Sequence, residues 1–314
     1  MPLTSSSLSF RSEPSVLPTP DVTVIGSPSA LSQGHPHVRV VPSLTSPESI
    51  GSAPELSPDD FQRVRRMAYE RAGLAIPAGR EGLVRSRLLK RLCDRRIPSF
   101  STFLDIMEQE QGEELAGLID LLTNNKTDFF REPAHFDFLV DHVVPGVVAS
   151  DRPLRIWSAG CSTGEEPYTL AMLLRETLPA RYDFRILATD ISTQVVEAAR
   201  RGTYSARQLS GVSPRRQQRF FTAASDGSAT VTSELRAPIS FEHLNLMATW
   251  PMSGPFDVIF CRNVMIYFDK PTVTRLVHRF HALLAPGGHL IIGHSESLIA
   301  GHPYRYVQPA VYAR

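Results

Sequence analysis

Cysteine is scarce in this chain. The three present, Cys93, Cys161 and Cys261, are odd in number, widely spaced and form no CxxC pair. That excludes a disulfide framework or a cysteine-based structural zinc site, and it suits a reducing, cytoplasmic setting. A surplus of one charge is also missing: 33 Lys and Arg stand against 32 Asp and Glu, a net charge of +1. No global field therefore selects nucleic acid or a membrane surface, and electrostatic recognition must come from local patches. No apolar run reaches the roughly 18 residues of a transmembrane helix. The N-terminus has no basic stretch leading into an apolar one, so no secretory signal is expected.

Residues 1–53 lack both charge and periodicity. They are rich in Ser and Pro, and their only charges are Arg11, Glu13, Asp21, Arg39 and Glu48. Such a segment cannot bury enough apolar area to offset its ordering entropy, so a disordered tail is expected.

Order begins near Ser57. Ser57-Pro58-Asp59-Asp60 joins a Ser cap, a first-turn Pro and acids that complement the helix dipole. Phe61, Val64 and Ala68 follow at helical spacing, and Gly73 closes the helix. A second helix is expected over 80–97, with Val84, Leu88 and Leu92 as its apolar stripe. The segment 80–96 carries seven basic residues against two acids. Further helices are expected around 101–110 and 112–122. Residues 54–123 thus read as a small all-helical domain, and 124–153 as a linker that contributes to a site.

From Leu154 the pattern alternates. Strands at 154–158, 184–189, 256–260 and 289–293 interleave with helices at 165–178, 193–200 and 271–284, which predicts a parallel sheet covered on both faces. Residues 203–238 interrupt the rhythm and read as an inserted hairpin-like subdomain around Asp226-Gly227. A final strand pair is expected within 304–312.

Within this half, Leu154–Tyr168 reads LRIWSAGCSTGEEPY. An apolar strand runs into a small-residue turn and then an acidic helix start; a second strand follows and ends in Asp190. Strand, glycine turn, helix, strand and acid make a Rossmann-like nucleotide pocket. A helix N-terminus normally attracts a pyrophosphate, which Glu165 and Glu166 would repel. A cationic cofactor without phosphate fits better, and S-adenosylmethionine has that character. Asp190 is placed to accept ribose hydroxyls, its alternative role being a helix cap. One of the two glutamates faces the ammonium, and Glu165, nearer the turn, is preferred. Asn263 follows the strand FDVIFC and sits where the crevice of such a sheet lies. No histidine has a second ligand at metal spacing, so no metal site is expected.

Several segments, in order, resemble the motifs of the chemotaxis receptor methyltransferases, the CheR family. They are LTNNKTDFFREPAHF, IWSAGCSTGEEPYTLAM, ILATDIS, HLNLM, FDVIFCRNVMIYFD and LLAPGGHLIIGHSESL. The resemblance covers roughly residues 57–314. It implies an α/β fold: a Rossmann-like class I methyltransferase sheet at 154–314, a small N-terminal all-helical domain and a β-subdomain insertion. It also implies a cytoplasmic enzyme that esterifies glutamate side chains on the signalling helices of methyl-accepting chemoreceptors, leaving S-adenosylhomocysteine.

Carried over by motif, the resemblance puts Asn125, Thr127 and Arg131 on the cofactor, Glu165 on its amino group and Asp190 on its ribose. It puts Asn245 and Leu246 beside the adenine, and Arg262 and Asn263 at the methionine end. Arg131 and Tyr267 are expected to orient and enclose the reacting groups without a general base. Phe129, Phe130, Trp157 and Tyr267 are candidates to keep the pocket dry. Arg87, Lys90 and Arg91 are expected to steer an acidic receptor helix. The insertion lacks the RGTG-like run of relatives that grip a receptor's C-terminal pentapeptide, which weakens the expectation of tethering and favours direct docking.

The competing readings are a cofactor-binding signalling module with little methylation activity and a nucleic-acid methyltransferase. The second is disfavoured because CRNVMIYF stands where a [DNS]-P-P-[YFW] motif would be. The acidic helix start disfavours a dehydrogenase.

Overall fold

The computed structural model describes residues 54–109, 113–123 and 126–314. The expected tail, 1–53, and Asn125 lie outside the described residues.

Four helices open the described chain: α1 (Pro58–Ala72), α2 (Glu81–Arg95), α3 (Phe100–Gln109) and α4 (Glu113–Leu122). The start of α1 is capped as its sequence predicts. The Ser57 hydroxyl oxygen accepts from the Asp60 amide at 3.1 Å and donates to the Asp60 carboxylate at 2.8 Å. Gly73 ends α1 in the left-handed region, φ 72°. Val84, Leu88 and Leu92 are fully buried and join Phe61, Val64, Phe103 and Leu104 in one core.

Residues 124–153 are more than a linker. They hold α5 (Ala134–Phe138), a π-helical turn at Leu139–Val143, and α6 (Val144–Ala149). Pro145, five valines and the one-residue π insertion break the 3.6-residue period, which is why the pattern did not register as helix.

Alternation then begins: β1 (Leu154–Ala159), α7 (Glu165–Thr177), β2 (Phe184–Asp190) and α8 (Thr193–Arg201). The insertion follows, with β3 (Thr203–Ser205), α9 (Pro214–Phe220), β4 (Phe221–Ala223), β5 (Ser228–Val231) and α10 (Ser233–Arg236). Its three strands form a separate antiparallel sheet, β3-β5-β4, whose hairpin turns at Asp226-Gly227. The chain returns through β6 (Ile239–His243), β7 (Phe256–Cys261), α11 (Lys270–Leu283), β8 (Leu284–Ile292), β9 (Arg305–Gln308) and β10 (Val311–Ala313).

The main sheet has seven strands in the order β6-β2-β1-β7-β8-β10-β9. Pairing is parallel from β6 to β8, and β10 is antiparallel to both its neighbours. Ile156, Val258 and Phe260 pack on one face, while Trp157, Ile259 and Cys261 pack on the other. Both faces are covered, so these strands read as continuous apolar runs. Strand β8 begins earlier than 289 because Pro286-Gly287-Gly288 runs inside it, with a register shift opposite Phe256–Val258. Strand β6 was not foreseen: five residues at the sheet edge, two of them buried, leave little signal.

Candidate active site

Strand order reverses between β2-β1 and β7-β8, and such a reversal opens a crevice at the carboxyl ends of the strands. A cleft of about 940 Å³ lies there, open solvent at its mouth included. Gly160, Asp190, Leu244 and Arg262, each at or just past the end of its strand, line it. The helical domain contributes Ala72, Leu74 and Thr123, and the segment before α5 contributes Lys126, Thr127, Asp128 and Arg131.

Gly160 has φ 91°, and a Cβ there would collide with the Val264 side chain. The backbone can approach the opposite wall only because this residue has none. At the end of β2, Asp190 accepts the Ser162 amide at 2.9 Å on one oxygen and the Ser192 amide at 3.0 Å on the other. Burial pushes its carboxyl above the ordinary range, and the Ser192, Ser162 and Ile191 amides work against that shift.

The two glutamates at the start of α7 differ. Glu166 lines the cleft. Its carboxylate accepts from Ser158 Oγ at 2.7 Å and from Arg262 Nη1 at 2.9 Å. Glu165 is not on the wall: it is 2% exposed and bonded to Thr163 Oγ1 at 2.7 Å and Gln208 Nε2 at 3.5 Å. Of the two, it is Glu166 and not the preferred Glu165 that lines the cleft. The first residue of α7 turns under the glycine turn, and the second comes to the surface of the crevice. Burial raises the Glu165 carboxyl. Among the described residues no ion pair reaches it.

Arg262 lines the cleft, but its guanidinium is occupied by protein. It bridges Glu166 and Glu132, the latter at 3.1 Å, donates to the Arg131 carbonyl, and lies 5.3 Å over the Phe136 ring. Glu132 also takes the His294 amide at 3.3 Å and Asn263 Nδ2 at 3.5 Å. Glu132, His135 and His294 bring ligand-type atoms within 4.8 Å of one another. Arg262 already supplies the positive charge there. With burial, it holds the His135 imidazole neutral, its pKa lowered to about 4.

The other expected residues divide by location. Thr127, Arg131, Asn245, Leu246, Asn263 and Tyr267 all line the cleft. Arg131 donates to the Lys126 carbonyl at 3.0 Å and is 37% exposed. Asn245 ties the helical domain to the sheet, its Nδ2 donating to the Arg71 carbonyl at 2.6 Å. The Tyr267 carbonyl accepts the Ala75 amide at 2.8 Å across the same seam.

Of the four aromatics expected to dry the pocket, only Tyr267 lines it. Phe129 packs edge-on against Tyr204 and Phe221 of the insertion, Phe130 against Phe136 and Arg216. Trp157 is core: fully buried, edge-on to Trp250 and Phe280, its indole donating to Thr189 Oγ1 at 2.9 Å. In β1 it points to the face away from α7, so the strand carries it into packing.

The basic helix α2 is less available than its composition implies. Arg87 is half-buried and donates to the Leu122 carbonyl, the last residue of α4. Arg91 is half-buried beside Gly117 of α4. Lys90 is exposed. Two of the three expected steering cations therefore pack on the neighbouring helix, because an i, i+4 pair beside the Leu88–Leu92 stripe borders the core. Sequence reading also gave no role to Glu132 and Glu296, although both stand in stretches that carried the resemblance.

The chain matches the family description "CheR methyltransferase, SAM binding domain" over residues 125–310 and "CheR methyltransferase, all-alpha domain" over residues 59–123. It is 43% identical over 262 residues to chemotaxis protein methyltransferase 2 of Pseudomonas aeruginosa, spanning 81% of this chain and 92% of that protein. It is 41% identical over 250 residues to the chemotaxis protein methyltransferase of Escherichia coli, spanning 77% and 85%. A cleft at the switch point of a mostly parallel sheet, an acid at the end of β2 and this kinship agree: the chain belongs to the CheR family of S-adenosylmethionine-dependent chemotaxis methyltransferases.

Proposed function

We propose that this protein transfers methyl groups to glutamate side chains on the cytoplasmic helices of methyl-accepting chemoreceptors, acting in the cytoplasm. The observation that carries the reading is Asp190: a carboxylate at the end of β2, on the cleft wall and anchored by backbone amides. When bound, S-adenosylmethionine supplies an electrophilic methyl group on a sulfonium centre.

The residues present fit that group. Asp190 accepts the ribose hydroxyls. Leu246 and Asn245 border the adenine, with Ile191 and Leu244 adding apolar wall. Thr127 and Arg131 close over it from the segment before α5, and Asn125, outside the described residues, is a cofactor contact by the resemblance alone. Glu165 acts on the amino group by charge from beneath the wall; it is a buried carboxylate with no cation of its own among the described residues. Glu166 and Glu132 hold Arg262, and Arg262 with Asn263 shapes the methionine end.

The acceptor glutamate has a pKa near 4.3, so it is ionised at neutral pH and needs no general base. The chain's task is alignment, which contributes about 7–11 kcal/mol in favourable cases. Exclusion of water helps too, because an anion and a cation neutralise each other as the methyl group moves. Arg131, partly exposed on the cleft wall, orients the incoming carboxylate, and Tyr267 encloses it.

A glutamate-rich receptor helix docks directly rather than through a pentapeptide tether, with Lys90 as an accessible cation of α2. The test is incubation with methyl-labelled S-adenosylmethionine and a receptor cytoplasmic domain, alongside the same domain with its acceptor glutamates replaced by alanine. Label that follows the glutamates supports the reading. Cofactor binding with no label on any receptor domain contradicts it and favours the signalling-module alternative.

A further inference from the structure

The loop 262–268, between β7 and α11, supplies five lining residues of the cleft: Arg262, Asn263, Val264, Tyr267 and Phe268. Its backbone is not self-sufficient. Asn263 has φ 60°, a left-handed conformation that costs energy in a residue other than glycine. Its backbone amides at Asn263 and Ile266 are held from outside by the side chain of Glu296, which follows β8 and does not itself line the cleft. One Glu296 oxygen accepts the Asn263 amide at 2.9 Å and the Gly293 amide at 2.6 Å. The other accepts the Ile266 amide at 3.2 Å.

The approach is close. A Cβ at Gly293 would stand 2.5 Å from Asn263 Nδ2 and 2.9 Å from the Glu296 carboxylate. Among the described residues no ion pair reaches Glu296, so its charge is spent on these backbone donors. Burial pushes its carboxyl up while the amides pull it down.

We propose that Glu296 is a positioning residue for methyl transfer: its carboxylate pins the loop 262–268 and so sets Arg262, Asn263 and Tyr267 against the bound cofactor. The inference rests on the cofactor reading of the cleft. A carboxylate is suited to the task because it offers acceptors at both ends. Glutamine keeps one acceptor and points an NH2 at the remaining backbone donor. Aspartate keeps the charge but falls short by one methylene.

Three measurements on the full chain test it: S-adenosylhomocysteine affinity by calorimetry, steady-state kinetics, and amide hydrogen exchange at 262–268. Charge-assisted bonds of this kind predict that Glu296→Gln and Glu296→Asp each weaken cofactor binding and lower kcat by about tenfold or more. Exchange at Asn263 and Ile266 should quicken, with the thermal midpoint near that of wild type. Ser297→Ala, an exposed neighbour, should change none of these.

Faster exchange with wild-type kcat and affinity would reduce Glu296 to a local structural bond and overturn the proposal. Unchanged exchange would overturn it as well. Failure of the wild-type protein to bind S-adenosylhomocysteine would instead overturn the cofactor reading, and the proposal with it.

Discussion

The sheet and the wall of its cleft are built by opposite rules. In the sheet, β1 and β7 bury nearly every side chain, and Trp157, Ile259 and Phe260 are fully enclosed. The backbone there is regular and its bonds run strand to strand. On the wall, non-glycine residues stand at positive φ at Ser162 and Asn263, and behind it at Phe130 and Glu132. Charges are brought together there, with Arg262 between Glu132 and Glu166 and only 3% of its side chain exposed. Burial of apolar area stabilises the first region. The second is held by hydrogen bonds and ion pairs that contribute little net stability but fix geometry. Strain and buried charge collect where a ligand must be gripped.

This contrast yields separable effects. The largest belongs to the sheet. Trp157→Ala should cost about 3–5 kcal/mol of stability, as core aromatic truncations do, measured by denaturant unfolding. The molecules that remain folded should turn over at near the wild-type rate. A large kcat loss at unchanged stability would move Trp157 to the wall.

Next comes Asp190→Ala, which should weaken S-adenosylhomocysteine binding at least about a hundredfold by removing two charge-assisted bonds. Its unfolding midpoint should fall by a smaller measure, because the Ser162 and Ser192 amides lose their acceptor. Full affinity in this variant would remove the ribose assignment.

The paired glutamates sharpen the comparison further. Glu165→Gln should weaken cofactor binding by about tenfold through loss of an unpaired buried charge. Glu166→Gln should act chiefly on stability, because it leaves the Arg262 guanidinium short of a partner. Calorimetry and thermal unfolding of both variants separate the two roles, and the reverse pattern would exchange them.

A smaller effect is set by pH. The Asp190 carboxyl is raised by burial, and only its ionised form accepts two hydroxyls. Affinity should therefore be full above the raised pKa and fall as pH drops through it, at a pH above the ordinary aspartate value of about 3.9. Asp190→Asn should flatten this dependence in a calorimetric pH series. The smallest effect is Lys90→Glu, which should slow receptor methylation a few-fold at low salt and be masked at high salt. An effect that persists at high salt would mean direct contact instead of steering.

What was legible in the sequence followed the same division. Elements with a strong local signal were readable: the Ser57 cap, the buried stripe of α2, the glycine turn after β1, and Asp190. The apolar strands were readable because both their faces are buried. The short edge strand β6 and the π-interrupted helices of 134–149 were not, since neither keeps a steady period. The wall was legible in residue identity more than in role. Glu165 and Glu166 are adjacent in sequence, and one turn of backbone decides which faces the cleft. Arg87 reads as a surface cation until Leu122, far along the chain, is seen to take its guanidinium. Glu296 acts on a loop some thirty residues earlier. Contacts between distant segments leave no spacing to read.

The most direct measurement of the central claim is the chemistry of the product. Receptor cytoplasmic domain methylated by this protein from labelled S-adenosylmethionine should carry its label on glutamate side chains, and mild base should release all of it as methanol, as an ester requires. Label that survives base, or that maps to lysine or arginine, would contradict glutamate esterification while leaving the cofactor cleft intact.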